Sequence, residues 1–377
     1  MIKKYTLHNF KNHDTTEIPM QALTILTGVN GAGKSSIIQS MLVLRESSKN
    51  KLPEQLYLSG ESFAFGKSMS LLNSGATQNV DRMSMTIQLR EGKAYLFEFS
   101  YPESASSTLK ATEDSCKLTG ESLSQLIPLF SDRFQYLSAN RIGPSDSYSI
   151  DTSVVDDHRQ LSQKMGQGEF TVYYLEKFGS EDISCTSLAY PGVDDLSLSR
   201  QVEAWLTEIS DGVRMKIDTV GDRLELKFGY SRQDKPALYY SANNSGYGLS
   251  YILSVITAIL SAKEDSLILI ENPEAHIHPH GQSALMRLIG LAAKCGIQVL
   301  IETHSDHIIN GALVSAKTVL GRENLSVIYF TKDERLNAVA NHLEIEPQGR
   351  IINAPDGFCD QMEIDMDTLF SLSDGKE

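Results

Sequence analysis

Cysteine is scarce in this chain, four in 377 residues, and Cys116, Cys185, Cys295 and Cys359 stand far apart. No C-x-x-C pair is present to begin a zinc site, and the density is too low for a disulfide framework, so free thiols in a reducing compartment are expected. Long apolar runs are missing as well. The longest, Leu249 to Leu260, is shorter than the about 20 residues a membrane span needs and carries Ser, Tyr and Thr, which marks a buried helix. The opening MIKKYTLHNFKNH turns polar every few residues and lacks the basic, apolar and small-residue succession of a secretory leader. A cytoplasmic protein with no membrane partner is therefore expected. Positive charge is in deficit, with 34 Lys and Arg against 48 Asp and Glu for a net charge of -14. That balance excludes binding nucleic acid through the overall field, while a local basic patch stays open but unsupported by charge. Repeats, heptad arrays and low-complexity tracts are also missing, which excludes a long coiled-coil arm.

Hydrophobic residues make up 41% of the chain, enough to bury a large core. Alternation from Ile2 to Asn9 predicts a strand, and the apolar run Ala22 to Leu26 leads through a glycine-rich turn into a helical pattern from Ser35 to Leu44. Met83 to Leu89 and Ala94 to Tyr101 alternate around Glu91-Gly92 like a hairpin, inside a β-rich lobe. From Asp151 to Ser231 the pattern is mixed, with helix signals at Thr171 to Lys177 and Arg200 to Ile209 and strand signals at Val213 to Thr219 and Arg223 to Phe228. From Leu267 onward strand, helix and strand alternate at the pace of a parallel sheet. The expected architecture is α/β, a mixed or parallel sheet flanked by helices. Its divisions are an N-terminal lobe over residues 1–150, an inserted subdomain over 151–240, a C-terminal lobe over 241–330 and a tail over 331–377.

Gly28-Val29-Asn30-Gly31-Ala32-Gly33-Lys34-Ser35 fits G-x-x-x-x-G-K-[ST], directly after a strand and opening a helix, where phosphate chemistry requires it. Glycines let backbone N–H groups from Asn30 to Ser36 curl around phosphates, the helix N-terminus adds positive potential, Lys34 reaches the β and γ oxygens, and Ser35 can ligate Mg²⁺. ATP and Mg²⁺ are the cofactors this loop calls for. A second acidic element, Leu267-Ile268-Leu269-Ile270-Glu271, is a buried-strand run ending in a carboxylate, so Glu271 is the candidate metal-shell acid.

These motifs resemble ABC-type ATPases, and within them the prokaryotic branch of OLD-family ATPases and their stand-alone relatives without a Toprim nuclease domain. The resemblance spans nearly the whole chain: NFKNH, GVNGAGKSS, the stretch Tyr136 to Pro144, Asn244-Ser245-Gly246-Tyr247-Gly248-Leu249-Ser250, ENPEAHIHP and IETHSDHIINGA, while the stretch Ala354 to Asp360 looks like the C-terminal tail of an uncharacterised prokaryotic ATPase family close to OLD proteins. It implies a fold of the P-loop, ABC type. It also implies that Ser245, Gly246 and Gly248 form a signature holding the γ-phosphate of ATP bound to a second copy, and that His304 is the switch histidine. In most relatives the metal acid is followed by a glutamate that polarises the attacking water. Here Asn272 stands in that place, and an amide accepts no proton, so turnover is expected to be slow. Glu274 is the substitute base, with Asn272 orienting water.

His276, His278 and His280 would share one face of a strand, as a metal site requires, but the resemblance places them in the D-loop, where contact across a dimer and helix capping serve them better. Asp365-Met366-Asp367 is similar to the acidic pair of Toprim nucleases, yet too little chain follows His304 to build that domain. The function implied is an ATP-hydrolysing homodimer, joined through its ATP sites, that drives a co-encoded effector such as a nuclease in prokaryotic antiviral defence. Two alternatives remain: a self-sufficient DNA-processing enzyme, and a scaffold that binds ATP without turning it over.

Overall fold

The first alternating stretch folds as β1 (Ile2–Phe10), paired antiparallel with β2 (His13–Pro19) on one side and β5 (Arg82–Leu89) on the other. The expected hairpin joins β5 to β6 (Ala94–Ser100), and β7 (Thr108–Ala111) and β4 (Gln55–Tyr57) complete a six-stranded sheet in the order β2-β1-β5-β6-β7-β4. The structure is a computed structural model, and it describes all residues except 51, 62, 74, 76–80, 164, 233–234, 356 and 374–377. Asp356, within the Ala354 to Asp360 stretch, thus lies outside the described residues.

The second sheet positions the site. Its centre is β3 (Leu23–Gly28), with β13 (Gln298–Glu302) and β14 (Leu325–Lys332) parallel on its two sides. Beyond β13 lie β12 (Leu267–Glu271) and β8 (Phe134–Leu137), both parallel, and β15 (Ala338–His342) closes the other edge antiparallel to β14. These central strands read as unbroken apolar runs because both faces are covered. Alternate side chains enter different cores: Ile268, Ile270, Val299 and Ile301 join one cluster, and Leu267, Leu269 and Leu300 join the other.

On the side of the β-rich lobe, α1 (Lys34–Asn50) buries Ile37, Ile38, Met41 and Leu44, and α2 (Gly120–Leu126) adds Leu123. The opposite face carries α5 (Tyr247–Ser261), α6 (Pro279–Lys294) and α7 (Asp306–Ser315). Around them pack α3 (Thr171–Phe178), α4 (Leu198–Leu206) and a small antiparallel sheet of β9 (Val213–Val220), β10 (Arg223–Arg232) and β11 (Lys235–Ser241). Val172, Trp205 and Phe228 from this mixed stretch share one hydrophobic cluster with Ile252 and Ile289, so the stretch is built into the core beneath the parallel sheet. The chain ends with α8 (Gln361–Ser373).

Two expectations are corrected. Cys185 is bonded to Cys295 across 110 positions of sequence, with Cα atoms 6.6 Å apart, so only Cys116 and Cys359 are free thiols. The reason is tertiary: the loop ahead of α4 comes to rest against the C-terminal end of α6, a proximity that spacing along the chain hides. The sheet also crosses the boundary expected at residue 330, because β14 runs to Lys332 and β15 pairs with it. Among the described residues no helix is long and apolar enough to cross a membrane.

Candidate nucleotide site

At the end of β3 the chain turns through the glycine-rich loop into α1. Gly33 shows why the loop needs its glycines: its φ is +105°, and a Cβ there would sit 2.6 Å from His13 Nε2. That histidine is fully buried and clamps the loop. Its Nε2–H donates to the Gly33 carbonyl at 3.0 Å, while Nδ1 accepts from the Thr16 hydroxyl at 2.8 Å. Burial drives its pKa down to about 4, so the ring is neutral, the state both bonds require.

Lys34 is 3% exposed and folds back over the loop, its Nζ donating to the carbonyls of Gly28 at 2.8 Å and Val29 at 2.9 Å. Burial lowers its pKa, and the nearby Glu302 carboxylate opposes that shift. Ser35 donates its hydroxyl hydrogen to Glu302 Oε1 at 2.8 Å.

Strand order explains this partner. Because β13 lies between β3 and β12, Glu302 pairs with Leu26 on one side and Glu271 on the other, and the inner carboxylate reaches the loop serine. Glu302 is 5% exposed, and its Oε2 is buried with no hydrogen-bond partner. Burial first, and the charge of Glu271 second, push its carboxyl up to about 7 against the bond from Ser35. Glu271 faces the other way. Its Oε1 accepts from the Tyr136 hydroxyl and its Oε2 from the Ala139 N–H, both at 3.2 Å, and burial raises its pKa against those bonds and Arg141.

Arg141 secures the backbone of this corner. One nitrogen, Nη1, donates to the carbonyls of Ser138 at 2.7 Å and Glu271 at 2.6 Å, and Nη2 donates to that of Asn272 at 2.8 Å. Burial lowers its pKa to about 10, opposed first by Glu274, and the guanidinium stays charged at neutral pH. Asn272 has a φ of +44°, in the left-handed region that asparagine tolerates better than most residues, so the amide at the expected base position has a conformational reason as well. Glu274 Oε1 accepts from the His304 N–H at 3.2 Å, and its Oε2 is buried and unpartnered. Burial, then the charge of Lys34, lowers the His304 pKa.

Asn30, Gly31, Gly33, Lys34, Ser35, Ser36 and His304 line one cavity of about 350 Å³. Ala32 is buried in the core, and Glu271, Asn272 and Glu274 do not line the cavity. Ser245, Gly246 and Gly248 do not line it; they sit where a 3-10 turn meets α5, with Tyr247 62% exposed. Gly248 has a local reason for its identity, since a Cβ there would lie 2.5 Å from the His276 carbonyl oxygen. His276 contacts the rings of Tyr247 and Tyr251, and His278 caps α6 by accepting from the His280 N–H. The DMD carboxylates of the tail lie on exposed turns of α8.

The cavity also holds Lys11, Asn12 and Glu302, which lie inside NFKNH and IETHSDHIINGA but to which the motifs alone assign no role. QVLIE ends in a carboxylate just as LILIE does, which is the signal that could have drawn attention to Glu302. The oxygen donors here suit Mg²⁺, a hard cation that prefers carboxylate and hydroxyl ligands, and the orphaned buried Oε2 of Glu302 is an acceptor without a partner.

A family model described as "AAA domain, putative AbiEii toxin, Type IV TA system" matches residues 23–310. A second, described as a protein of unknown function (DUF3696), matches residues 321–369. No curated protein matches. Among solved structures, an Smc head bound to the C-winged helix domain of ScpA superimposes with a TM-score of 0.57 at 14% identity, covering 91% of this chain and 98% of that one. The Smc head domain with an extended coiled coil, bound to the C-terminal domain of ScpA derived from Pyrococcus furiosus, gives 0.50 at 13% identity over 99% of both chains. Identities this low speak to fold, and the fold is that of an ABC-type P-loop NTPase. With the first family model spanning most of its length and a complete phosphate loop inside the matched region, the chain belongs to the AAA-domain family of P-loop ATPases described as putative AbiEii toxins of type IV toxin–antitoxin systems.

Proposed function

We propose that this chain is an ATP-driven conformational switch. Two copies close face to face over two molecules of ATP with Mg²⁺, and hydrolysis or release reopens them. The difference in nucleotide affinity between open and closed states supplies the work. The output passes to a partner effector, such as a co-encoded nuclease, in the antiviral setting of the OLD-like branch.

One observation carries this reading. Lys34, Ser35 and His304 share a cavity, while the Ser245 to Gly248 segment lies outside it at the partly exposed start of α5. A phosphate site lacking its signature in the same copy is what a composite site between two copies requires. The test is complementation: Lys34→Ala and Ser245→Arg should each be inactive, and mixing them should restore ATPase activity through the one composite site left intact. Heterodimers shown by native mass spectrometry with no recovered activity would refute the shared site.

The amide at Asn272 favours a second reading, a scaffold gated by ATP binding with little turnover. Single-turnover phosphate release separates the two, because a scaffold stays closed on unhydrolysed ATP.

A further inference from the structure

We propose that Glu302, at the end of β13, is the protein carboxylate that holds the Mg²⁺ of bound ATP, with Glu271 a positioning residue one strand away. This rests on the nucleotide-switch reading above and goes beyond it by assigning a metal-facing residue outside the acidic motif that marks the site in the sequence.

The geometry makes the assignment. In P-loop enzymes the loop serine or threonine is a ligand of the metal, so the carboxylate that shares the metal must lie beside that hydroxyl. Mg²⁺ demands a near-octahedral shell at about 2.0–2.1 Å, which puts neighbouring ligands about 2.9 Å apart. Ser35 Oγ and Glu302 Oε1 are 2.8 Å apart and already joined by a hydrogen bond, so the metal can replace their shared hydrogen contact with little movement. Glu302 also offers an unpartnered oxygen: Oε2 is buried without a hydrogen bond in a side chain only 5% exposed, and the residue lines the same cavity as Lys34 and Ser35.

Glu271 meets none of these conditions. Both its oxygens are engaged on the far side, by the Tyr136 hydroxyl and the Ala139 N–H, and it does not line the cavity. Its part is to brace the corner at which Arg141 and the strand ends meet. Charge points the same way. Glu302 feels the negative charges of Glu271 and Glu274, opposed by Lys34, and ATP adds more, so a divalent cation between Glu302 and the phosphates offsets that repulsion.

The full chain should be loaded with ATP and titrated with Mn²⁺, followed by electron paramagnetic resonance, alongside ATP binding measured in EDTA. Glu302→Gln is expected to weaken Mn²⁺ at least about tenfold while ATP affinity in EDTA does not fall, since the variant removes the repulsion between this carboxylate and the phosphates. Glu271→Gln is expected to leave Mn²⁺ affinity within about threefold. Glu302→Asp, which keeps the charge but shortens the reach, should fall between and serves if the glutamine variant does not fold. Parental Mn²⁺ affinity in the Glu302 variants, or its loss in Glu271→Gln, overturns the assignment and leaves the switch intact. A parent chain that binds no ATP removes the switch reading and this assignment together.

Discussion

Replacing Arg141 by alanine is expected to loosen the corner of the nucleotide site before it touches any nucleotide contact. The guanidinium makes three hydrogen bonds to the carbonyls of Ser138, Glu271 and Asn272, and it is 2% exposed. Charged hydrogen bonds of this kind contribute about 1.5–3 kcal/mol each, but they share one side chain, and water entering the vacated space recovers part of the loss. Removing one member of a buried charged cluster costs about 3–5 kcal/mol, and about 4 kcal/mol is the expected loss here. With an unfolding entropy of about 2.1 cal/mol/K per residue, the 377-residue chain has about 0.8 kcal/mol/K if it unfolds as one unit, so Tm should fall by about 5 °C. Differential scanning calorimetry reads this directly. Arg141→Lys keeps the charge without the planar fork and should recover only part of the loss. ATP-binding heat should weaken in both variants, because the Glu271 and Asn272 backbones set where β12 ends. A Tm for Arg141→Ala within a degree of the parent would show that the three bonds are replaced by water without cost, and the bracing role would be wrong.

Lys34→Ala should weaken ATP binding by a factor of about ten or more, about 1.4 kcal/mol, in isothermal titration calorimetry, since it removes a buried cation folded over the loop. Glu274→Gln should cut turnover by about 10²- to 10⁴-fold in a phosphate-release assay if that carboxylate is the base, and parental turnover would make its bond to the His304 N–H its whole role. Asn272→Glu should raise turnover, with the gain limited by the left-handed backbone at that position. His13 ties stability to pH. Its folded pKa of about 4 lies below the ordinary 6.5, so the unfolded chain takes up its proton first, and stability present above pH 6.5 is lost as pH falls toward 4. At pH 5 that amounts to about 2 kcal/mol. The raised carboxyl of Glu302 acts in the opposite sense, so denaturant melts at pH 5 and 7 should compare the parent with His13→Gln, in which the histidine part of the slope disappears.

Much of the fold was open to reading because its strands obey local rules. LILIE and QVLIE are unbroken apolar runs, as strands covered on both faces must be, and the loop from Gly28 to Ser35 is held by short-range constraints of backbone and phosphate chemistry. The hairpin from Met83 to Tyr101 was equally local. What stayed hidden depends on which strands are neighbours. Cys185 and Cys295 are 110 residues apart in sequence and meet only because α6 packs beneath the parallel sheet.

Glu302 is the sharpest case, because the same chemical pattern occurs twice and only topology separates the copies. LILIE and QVLIE both end in a glutamate, yet β13 inserts between β3 and β12, and this single ordering gives Ser35 to the second glutamate and leaves the first to Tyr136 and Ala139. In this chain Glu302, on the strand beside β3, reaches Ser35, while Glu271 stands one strand spacing of about 4.8 Å farther off and turns to Tyr136 and Ala139. Motif reading settles which residue types a phosphate site contains. The order of strands in the sheet settles which copy of a repeated residue type can touch the phosphate loop.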